Sequence, residues 1–306
     1  MEKTNAYDNE IKVSVIIVSY NNYGMLKECI ESILLYNDIG SSLEIIVSDN
    51  SPNPSIIENI NRDFPTVKTI KNNNIGFGAG NNKGFRASKG EFILFLNPDT
   101  ILIEPIFKFT IEKFYKNENL ALFGVQLVNK NLGKNDSFFL MDDNRLLSIL
   151  IFKLFKHMSF YIDKRMYISG ANIFVRRTCF EKSGKFDEKM FMYYEEPDLI
   201  KRIKLVCNCN KTSFFKSKRI IHLEGATEKD SIESYVNKIS RNLDTYSYYC
   251  RKWNICFEKN VKCLLNYEKI KLFLYKMKRN HNKIELSHQL IELYEQRILQ
   301  RKETSI

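Results

Sequence analysis

The run Glu91 to Leu96, EFILFL, is apolar at every position after the first and stops at Asn97-Pro98-Asp99-Thr100. An apolar stretch of strand length without alternation suits a strand covered on both faces, as in a parallel sheet layered between helices. Proline cannot donate to a ladder, so the strand ends there and leaves Asp99 at its carboxyl end. Open α/β sheets bind ligands in the crevice outside those ends, which makes Asp99 a candidate for a metal or phosphate site. Just upstream, Asn74-Ile75-Gly76-Phe77-Gly78-Ala79-Gly80-Asn81-Asn82-Lys83-Gly84 is dense in glycine and asparagine. Such a segment can take positive φ and pass close to a ligand; it also fits a tight turn followed by a helix packed close to a sheet. Helical spacing of Ala79, Phe85 and Ala87 predicts a helix that Lys89-Gly90 ends. The glycine spacing matches neither G-x-G-x-x-G nor a Walker loop.

Earlier in the chain the same design recurs. Val13 to Ser19 is a strand rich in β-branched residues that closes on Ser19-Tyr20-Asn21-Asn22, where Tyr20 offers a ring to stack on a base. A helix over Met25 to Tyr36 leads to the strand Leu43 to Ser48, which closes on Asp49-Asn50-Ser51-Pro52. A helix over Pro54 to Arg62 and a short strand at Thr66 to Ile70 complete a β-α-β-α-β half. Parallel strands would bring Ser19, Tyr20, Asp49, Asn50 and Asp99 to one rim. Two carboxylates beside a diphosphate repel it unless a cation intervenes.

A chain of 306 residues with 44% hydrophobic content has enough apolar side chains for a substantial core, and its net charge of +11 points to an anionic partner. The seven cysteines are odd in number and scattered, and Cys207-x-Cys209 lacks zinc-knuckle spacing, so they are expected as reduced thiols of a cytoplasmic protein. No secretory signal or membrane-length apolar run is visible; Leu146 to Phe155 is the nearest approach and carries Lys153. RRM, KH and helix-turn-helix signatures are missing, so no nucleic-acid partner is expected.

Four motifs in order, VSVIIVSYNN, EIIVSDNS, NNIGFGAGNNKG and FLNPDT, resemble the nucleotide-sugar-binding half of the family 2 glycosyltransferases, and in particular the rhamnosyltransferase-like enzymes of bacterial surface polysaccharide assembly. The resemblance implies the GT-A fold: α/β, with a Rossmann-like, mixed but mostly parallel sheet flanked by helices. It implies a UDP- or dTDP-sugar donor, contacted by Ser19, Tyr20, Asp49, Asn50, Asn74, Gly76, Gly80, Asn81, Asn97 and Asp99, with Mn²⁺ or Mg²⁺ as cofactor. The family's D-x-D element appears as Asn97-Pro98-Asp99, with asparagine in place of the first acid.

Beyond Thr100 the pattern predicts a helix at Glu104 to Asn117 and a strand at Leu120 to Val128, then an aperiodic segment from Asn129 to Arg165 that would serve as an acceptor-side loop or a plain surface insertion. Tyr167 to Arg177 returns to strand character, and Gly170 and Ala171 are candidate sugar contacts. Glu195-Glu196-Pro197-Asp198 opens a helix with apolar positions at Leu199, Ile203 and Leu205, and acids are favoured at such a start by its dipole alone. The resemblance gives this acid pair a catalytic meaning: Glu196 as the base, Glu195 second for that role and placed to orient acceptor hydroxyls, Asp198 as a further acceptor contact. In the same way His222, at the end of a short strand from Arg219, becomes the second metal ligand beside Asp99.

The expected organisation is a catalytic domain over 1–228, divided at about 100 into donor and acceptor halves, and a helical region over 229–306. Tyr246 to Asn280 interleaves aromatic, aliphatic and basic residues, which suits either an anionic membrane surface or a helix pair with its basic side in solvent. The function so implied is inverting transfer of a sugar to a glycan or lipid-linked acceptor. A sugar-nucleotide nucleotidyltransferase and a non-catalytic nucleotide-sugar-binding partner are the alternatives.

Overall fold

The computed structural model describes residues 10–141, 146–223 and 231–303. The chain falls into two compact units, Met1–Phe139 with Tyr161–Thr227, and Leu140–Phe160 with Glu228–Ile306.

The first unit begins with β1 (Val13–Ser19), α1 (Tyr23–Leu35), β2 (Leu43–Asp49), α2 (Ser55–Asp63) and β3 (Lys68–Lys71). It continues through α3 (Phe77–Ala87), β4 (Phe92–Leu96), β5 (Thr100–Leu102), α4 (Phe107–Lys116), β6 (Leu120–Val128) and β7 (Phe138–Leu140). After an excursion into the second unit through α5 (Leu146–His157) come β8 (Met166–Ile168), β9 (Asn172–Arg176), α6 (Arg177–Lys182), α7 (Glu195–Val206) and β10 (Lys211–His222). The second unit ends with α8 (Ile232–Lys252), α9 (Phe257–Met277) and α10 (His281–Glu303).

Eight strands form one mixed sheet in the order β3-β2-β1-β4-β9-β6-β10-β5. The first four are mutually parallel; β9 runs antiparallel to β4 and β6, and β5 antiparallel to β10. The continuous apolar runs conceal a period of two. Val13, Val15, Ile17, Phe92, Leu94 and Leu96 join the core with Leu26, Ile30, Phe107 and Phe114, whereas Ile16, Ile93 and Phe95 are equally buried on the opposite face. There Phe95 meets Phe180 and Phe186 at ring distances of 4.8 and 5.0 Å. Burial on both faces removes the polar alternation that a half-exposed strand would show.

Several expectations change in detail. Only Gly76 in the glycine run has positive φ, at 90°, and the helix starts immediately after it. Gly78, Gly80 and Gly84 lie inside α3, where they are needed for close approach: a Cβ on Gly84 would sit 2.4 Å from Cγ2 of Ile16, and one on Gly80 would sit 3.0 Å from Cγ1 of Val18. Gly90 does not cap α3, which closes at Ser88 in extended backbone. Instead it lets the chain cross the start of β1, where a Cβ would stand 2.5 Å from Ser14 Oγ. The single strand expected at 167–177 is two, β8 and β9, broken at Ser169-Gly170-Ala171. The short strand ending in His222 is the end of a twelve-residue β10 with an irregularity between Phe215 and Arg219. Leu205 is 72% exposed, and Ile200 takes its place in the core. The segment read as aperiodic holds β7 and α5, with 142–145 outside the described residues.

Candidate active site

At the carboxyl rim, β1 and β2 end in register with Ser19 opposite Asp49. Asp49 is fully buried: its Oδ1 accepts from Ser19 Oγ at 2.9 Å, Ser51 Oγ at 2.5 Å and Ser51 N at 3.2 Å, and its Oδ2 pairs with Lys71 Nζ at 3.1 Å. The residue expected to receive a ribose or base is at the rim, but its carboxylate is taken up by the turn that it organises. Tyr20, beside it, is 52% exposed.

Asn50 bridges to the glycine run, donating from Nδ2 to Gly76 O at 3.1 Å and accepting from Asn72 Nδ2 at 3.2 Å. Ser48 Oγ donates to Gly80 O at 2.8 Å. These bonds pin α3 on the end of β2, and Asn74 is left exposed at the mouth of the loop. Asn81, also expected at the nucleotide, turns its amide onto Phe77 O one helical turn back at 3.1 Å and is 1% exposed.

Across the glycine run lies the segment 186–194, which the sequence reading left without a role. Phe77 N donates to Phe191 O at 2.9 Å, and a Cβ on Gly76 would come within 2.4 Å of that same oxygen. Asn82 clamps the other end, accepting from Phe186 N at 3.0 Å and donating to Phe186 O at 2.9 Å. The segment ends in Tyr193 and Tyr194, both with left-handed backbone at φ 73° and 68°. Consecutive non-glycine residues there are strained, each by roughly 1–3 kcal/mol, and persist only where neighbours over-determine them. Here the strain sets the direction in which α7 begins.

That direction sends the two acids of α7 to different places. Glu195 points inward, 1% exposed, with its Cγ packed where Gly78 leaves room; Oε1 has no hydrogen-bond partner among the described residues. Burial, with the charge of Glu196 behind it, holds the Glu195 carboxyl well above its ordinary value of 4.5. It is thus shut away from any acceptor, contrary to the orienting role expected of it. Glu196 is partly exposed and lies against the break between β8 and β9, where a Cβ on Gly170 would meet its Oε1 at 2.3 Å. Burial raises its pKa as well, while backbone N–H groups of Glu196 and Gly170 pull the other way. Asp198 is fully buried and held by Arg202 through Nε and Nη2, both at 2.8 Å, so it props α7 instead of facing an acceptor.

The rim closes through Ala171, whose carbonyl accepts from Asn97 N at 3.1 Å. Asn97 O in turn caps the Pro98-Asp99 turn by accepting from Thr100 Oγ1 at 2.7 Å. Beyond the turn β5 pairs with β10, which sets His222 opposite Thr100 and brings His222 Nε2 to 3.4 Å from Asp99 Oδ1. A carboxylate and an imidazole at this spacing fit a divalent cation that completes its shell from phosphate oxygens and water. Among the described residues no cluster of three or more His, Cys, Asp or Glu forms a full metal cage. Asn82, Phe186 and Phe191 were missed because their contact with the glycine run spans a hundred residues; the paired asparagines 81 and 82 were the available hint.

Comparison with known proteins bears on the family and the fold. The family model "Glycosyl transferase family 2" matches residues 14–184, more than half of the chain. The Escherichia coli rhamnosyltransferase WbbL is 28% identical over 208 residues, covering 63% of this chain and 77% of that protein. The GalNAc(5)-diNAcBac-PP-undecaprenol beta-1,3-glucosyltransferase of Campylobacter jejuni is 34% identical over 134 residues, covering 41% of this chain and 42% of that enzyme. In this match, then, the chain spans under half of the relative's length. Among solved structures, the mannosyltransferase PcManGT from Pyrobaculum calidifontis in complex with GDP-Man and Mn²⁺ superposes with a TM-score of 0.62 at 12% identity, covering 95% of this chain and 88% of that one. S. aureus TarS 1–349 in complex with UDP gives 0.50 at 18% identity, covering 76% and 65%. Both likenesses establish a shared fold, the GT-A arrangement of a mixed, mostly parallel sheet between helices. With the four rim motifs held together by that sheet, and a family model that begins within the first of them and spans the rest, the chain belongs to glycosyl transferase family 2.

Proposed function

We propose that this enzyme moves a sugar from a nucleoside diphosphate donor, UDP- or dTDP-linked, to a hydroxyl of a glycan or lipid-linked acceptor in surface polysaccharide assembly, inverting the anomeric carbon. The observation that carries this reading is Glu196: a partly exposed residue whose carboxyl has its pKa raised by burial and is seated on Gly170, in the same run of contacts that reaches Asp99 and His222. A general base works best when its pKa lies near the operating pH, and burial moves this one in that direction. In the proposed reaction the acceptor oxygen bonds to the anomeric carbon as its proton passes to Glu196. The bond from that carbon to the diphosphate oxygen breaks, and the nucleoside diphosphate leaves with the electron pair. One displacement gives one inversion.

Asp99 and His222 would hold the divalent cation, Mn²⁺ or Mg²⁺, which when bound supplies positive charge beside the departing diphosphate. Asn50, Gly76 and Asn74 shape the donor side, with Tyr20 available to stack on the base. The name of the related Campylobacter enzyme, which acts on a PP-undecaprenol glycan, supports a lipid-linked acceptor. Among the described residues no helix is long and apolar enough to cross a membrane. Our reading places the enzyme at the cytoplasmic face of the plasma membrane, meeting anionic lipid through its C-terminal helices, where a lipid-linked acceptor would be within reach.

Glu196→Gln tests the assignment. It keeps volume and polarity but cannot take a proton, so turnover should fall about 10²–10⁴-fold while UDP affinity stays near the parent value. Transfer at the parent rate would remove Glu196 from the reaction, and retained UDP binding separates loss of chemistry from loss of the site.

A further inference from the structure

Helix α9 carries two apolar faces. Its buried face is Val261, Leu265 and the inward-turned Glu268, the last tied to α10 by Ser287 Oγ at 2.6 Å and neutralised by Lys271 Nζ at 2.7 Å. A helix paired on one side normally shows polar residues on the other. Here Ile270, Phe273, Leu274 and Met277 recur at the i, i+3, i+4, i+7 spacing and are 44%, 64%, 47% and 69% exposed. At 100° per residue their stripe lies about half a turn from Glu268. The same unit exposes a second such set on and just after α5, with Ile151 at 44%, Leu154 at 58% and Met158 at 58%.

The charge around the α9 stripe indicates what covers it. From 269 to 284 the chain holds Lys269, Lys271, Lys276, Lys278, Arg279 and Lys283 and no acidic residue. Lys269 and Lys271 are paired with Glu295 and Glu268, whereas Lys276, Lys278 and Arg279 are exposed at the end of the helix beside Met277. Exposed apolar side chains flanked by cations match the boundary of an anionic bilayer, where rings and aliphatic chains enter the headgroup layer and the ammonium and guanidinium groups meet lipid phosphate. A second copy of the same face would oppose cation to cation.

We propose that Ile270, Phe273, Leu274 and Met277, with Lys276, Lys278 and Arg279, form a docking face for an anionic lipid surface. The proposal deepens the reading of a lipid-linked acceptor, yet its test needs neither donor nor acceptor. Full-length protein is sedimented with phosphatidylcholine vesicles with and without phosphatidylglycerol, at low and high salt. Retention is expected on the anionic vesicles, reduced by salt, with little on neutral ones. Phe273→Gln combined with Met277→Gln should lower the anionic partition about tenfold or more, and Lys278→Glu with Arg279→Glu should abolish its dependence on phosphatidylglycerol.

All these side chains are exposed, so circular dichroism and melting temperature should match the parent and show that a loss is not unfolding. Failure of the parent to bind anionic vesicles would overturn the proposal, as would equal binding by the Phe273/Met277 variant. A concentration-dependent dimer in sedimentation equilibrium that the same variant abolishes, without vesicle binding, would assign the stripe to a second copy and also overturn it. UDP binding measured without vesicles should be unchanged in every variant. A failed docking face with intact UDP binding would therefore leave the transferase reading standing.

Discussion

Two adjacent glutamates at the start of α7 show how little sequence position decides about a carboxylate. Glu195 and Glu196 are one residue apart, about 100° around a helix, and that rotation puts one under the glycine helix and the other on Gly170. The buried one makes a pH prediction. The folded protein holds the Glu195 proton more tightly than the unfolded chain, whose glutamate titrates near 4.5, so this group's stabilising contribution is present below that value and falls as pH rises toward the higher folded pKa. Glu195→Gln carries no such titration. Its melting temperature relative to the parent should therefore climb between about pH 5 and pH 8. A difference that stays flat across that range would mean Glu195 is ionised where it lies. The acids were legible in the sequence as a pair, but their division of labour was not, since it depends on left-handed Tyr193 and Tyr194 aiming the helix.

Helix α3 is the element where helix propensity and packing pull furthest apart, although the spacing of Ala79, Phe85 and Ala87 already marked a helix. A run with glycine at 76, 78, 80 and 84 looks like a loop by propensity, since each interior glycine costs a helix roughly 1 kcal/mol relative to alanine. It is a helix because only glycine lets its axis approach Ile16 and Val18 on β1 and leaves space for Glu195 and Phe186. Gly84→Ala, favourable by propensity, should thus destabilise: the added methyl meets Ile16 Cγ2 at 2.4 Å in a filled core. Overpacking of this kind costs about 1–3 kcal/mol, read as a lower urea midpoint at unchanged m-value. An unchanged or higher midpoint would show that the helix can shift outward freely. Strands β1, β2, β4 and β6 were readable nearly to the residue because burial on both faces writes itself as unbroken apolar runs. The division of 167–177 into β8 and β9 was not, because Gly170 is demanded by Glu196, a partner 26 positions further along.

For the molecule as a whole, the consequence of the GT-A sheet is that residues from β1, β2, β4, β9, β10 and α7 share one rim. If Asp99 and His222 hold the cation that a diphosphate needs, nucleotide and metal should bind interdependently. UDP with Mn²⁺ should raise the melting temperature by several degrees, since ligand at a hundredfold its Kd contributes about 2.7 kcal/mol. UDP with chelator should give much less, and Asp99→Ala should reduce the metal-dependent part to near zero. Equal shifts with and without chelator would remove the cation from the donor site.

By itself the sequence determined the strands, the helices between them and the polar clusters at their ends, because burial on both sheet faces and proline or glycine punctuation act over a few residues. Only the tertiary structure decided that Asp49 is enclosed by Ser19, Ser51 and Lys71 and that Asp198 belongs to Arg202. Those outcomes depend on which side chains a folded sheet brings within about 3 Å of each other, a distance with no trace in linear spacing.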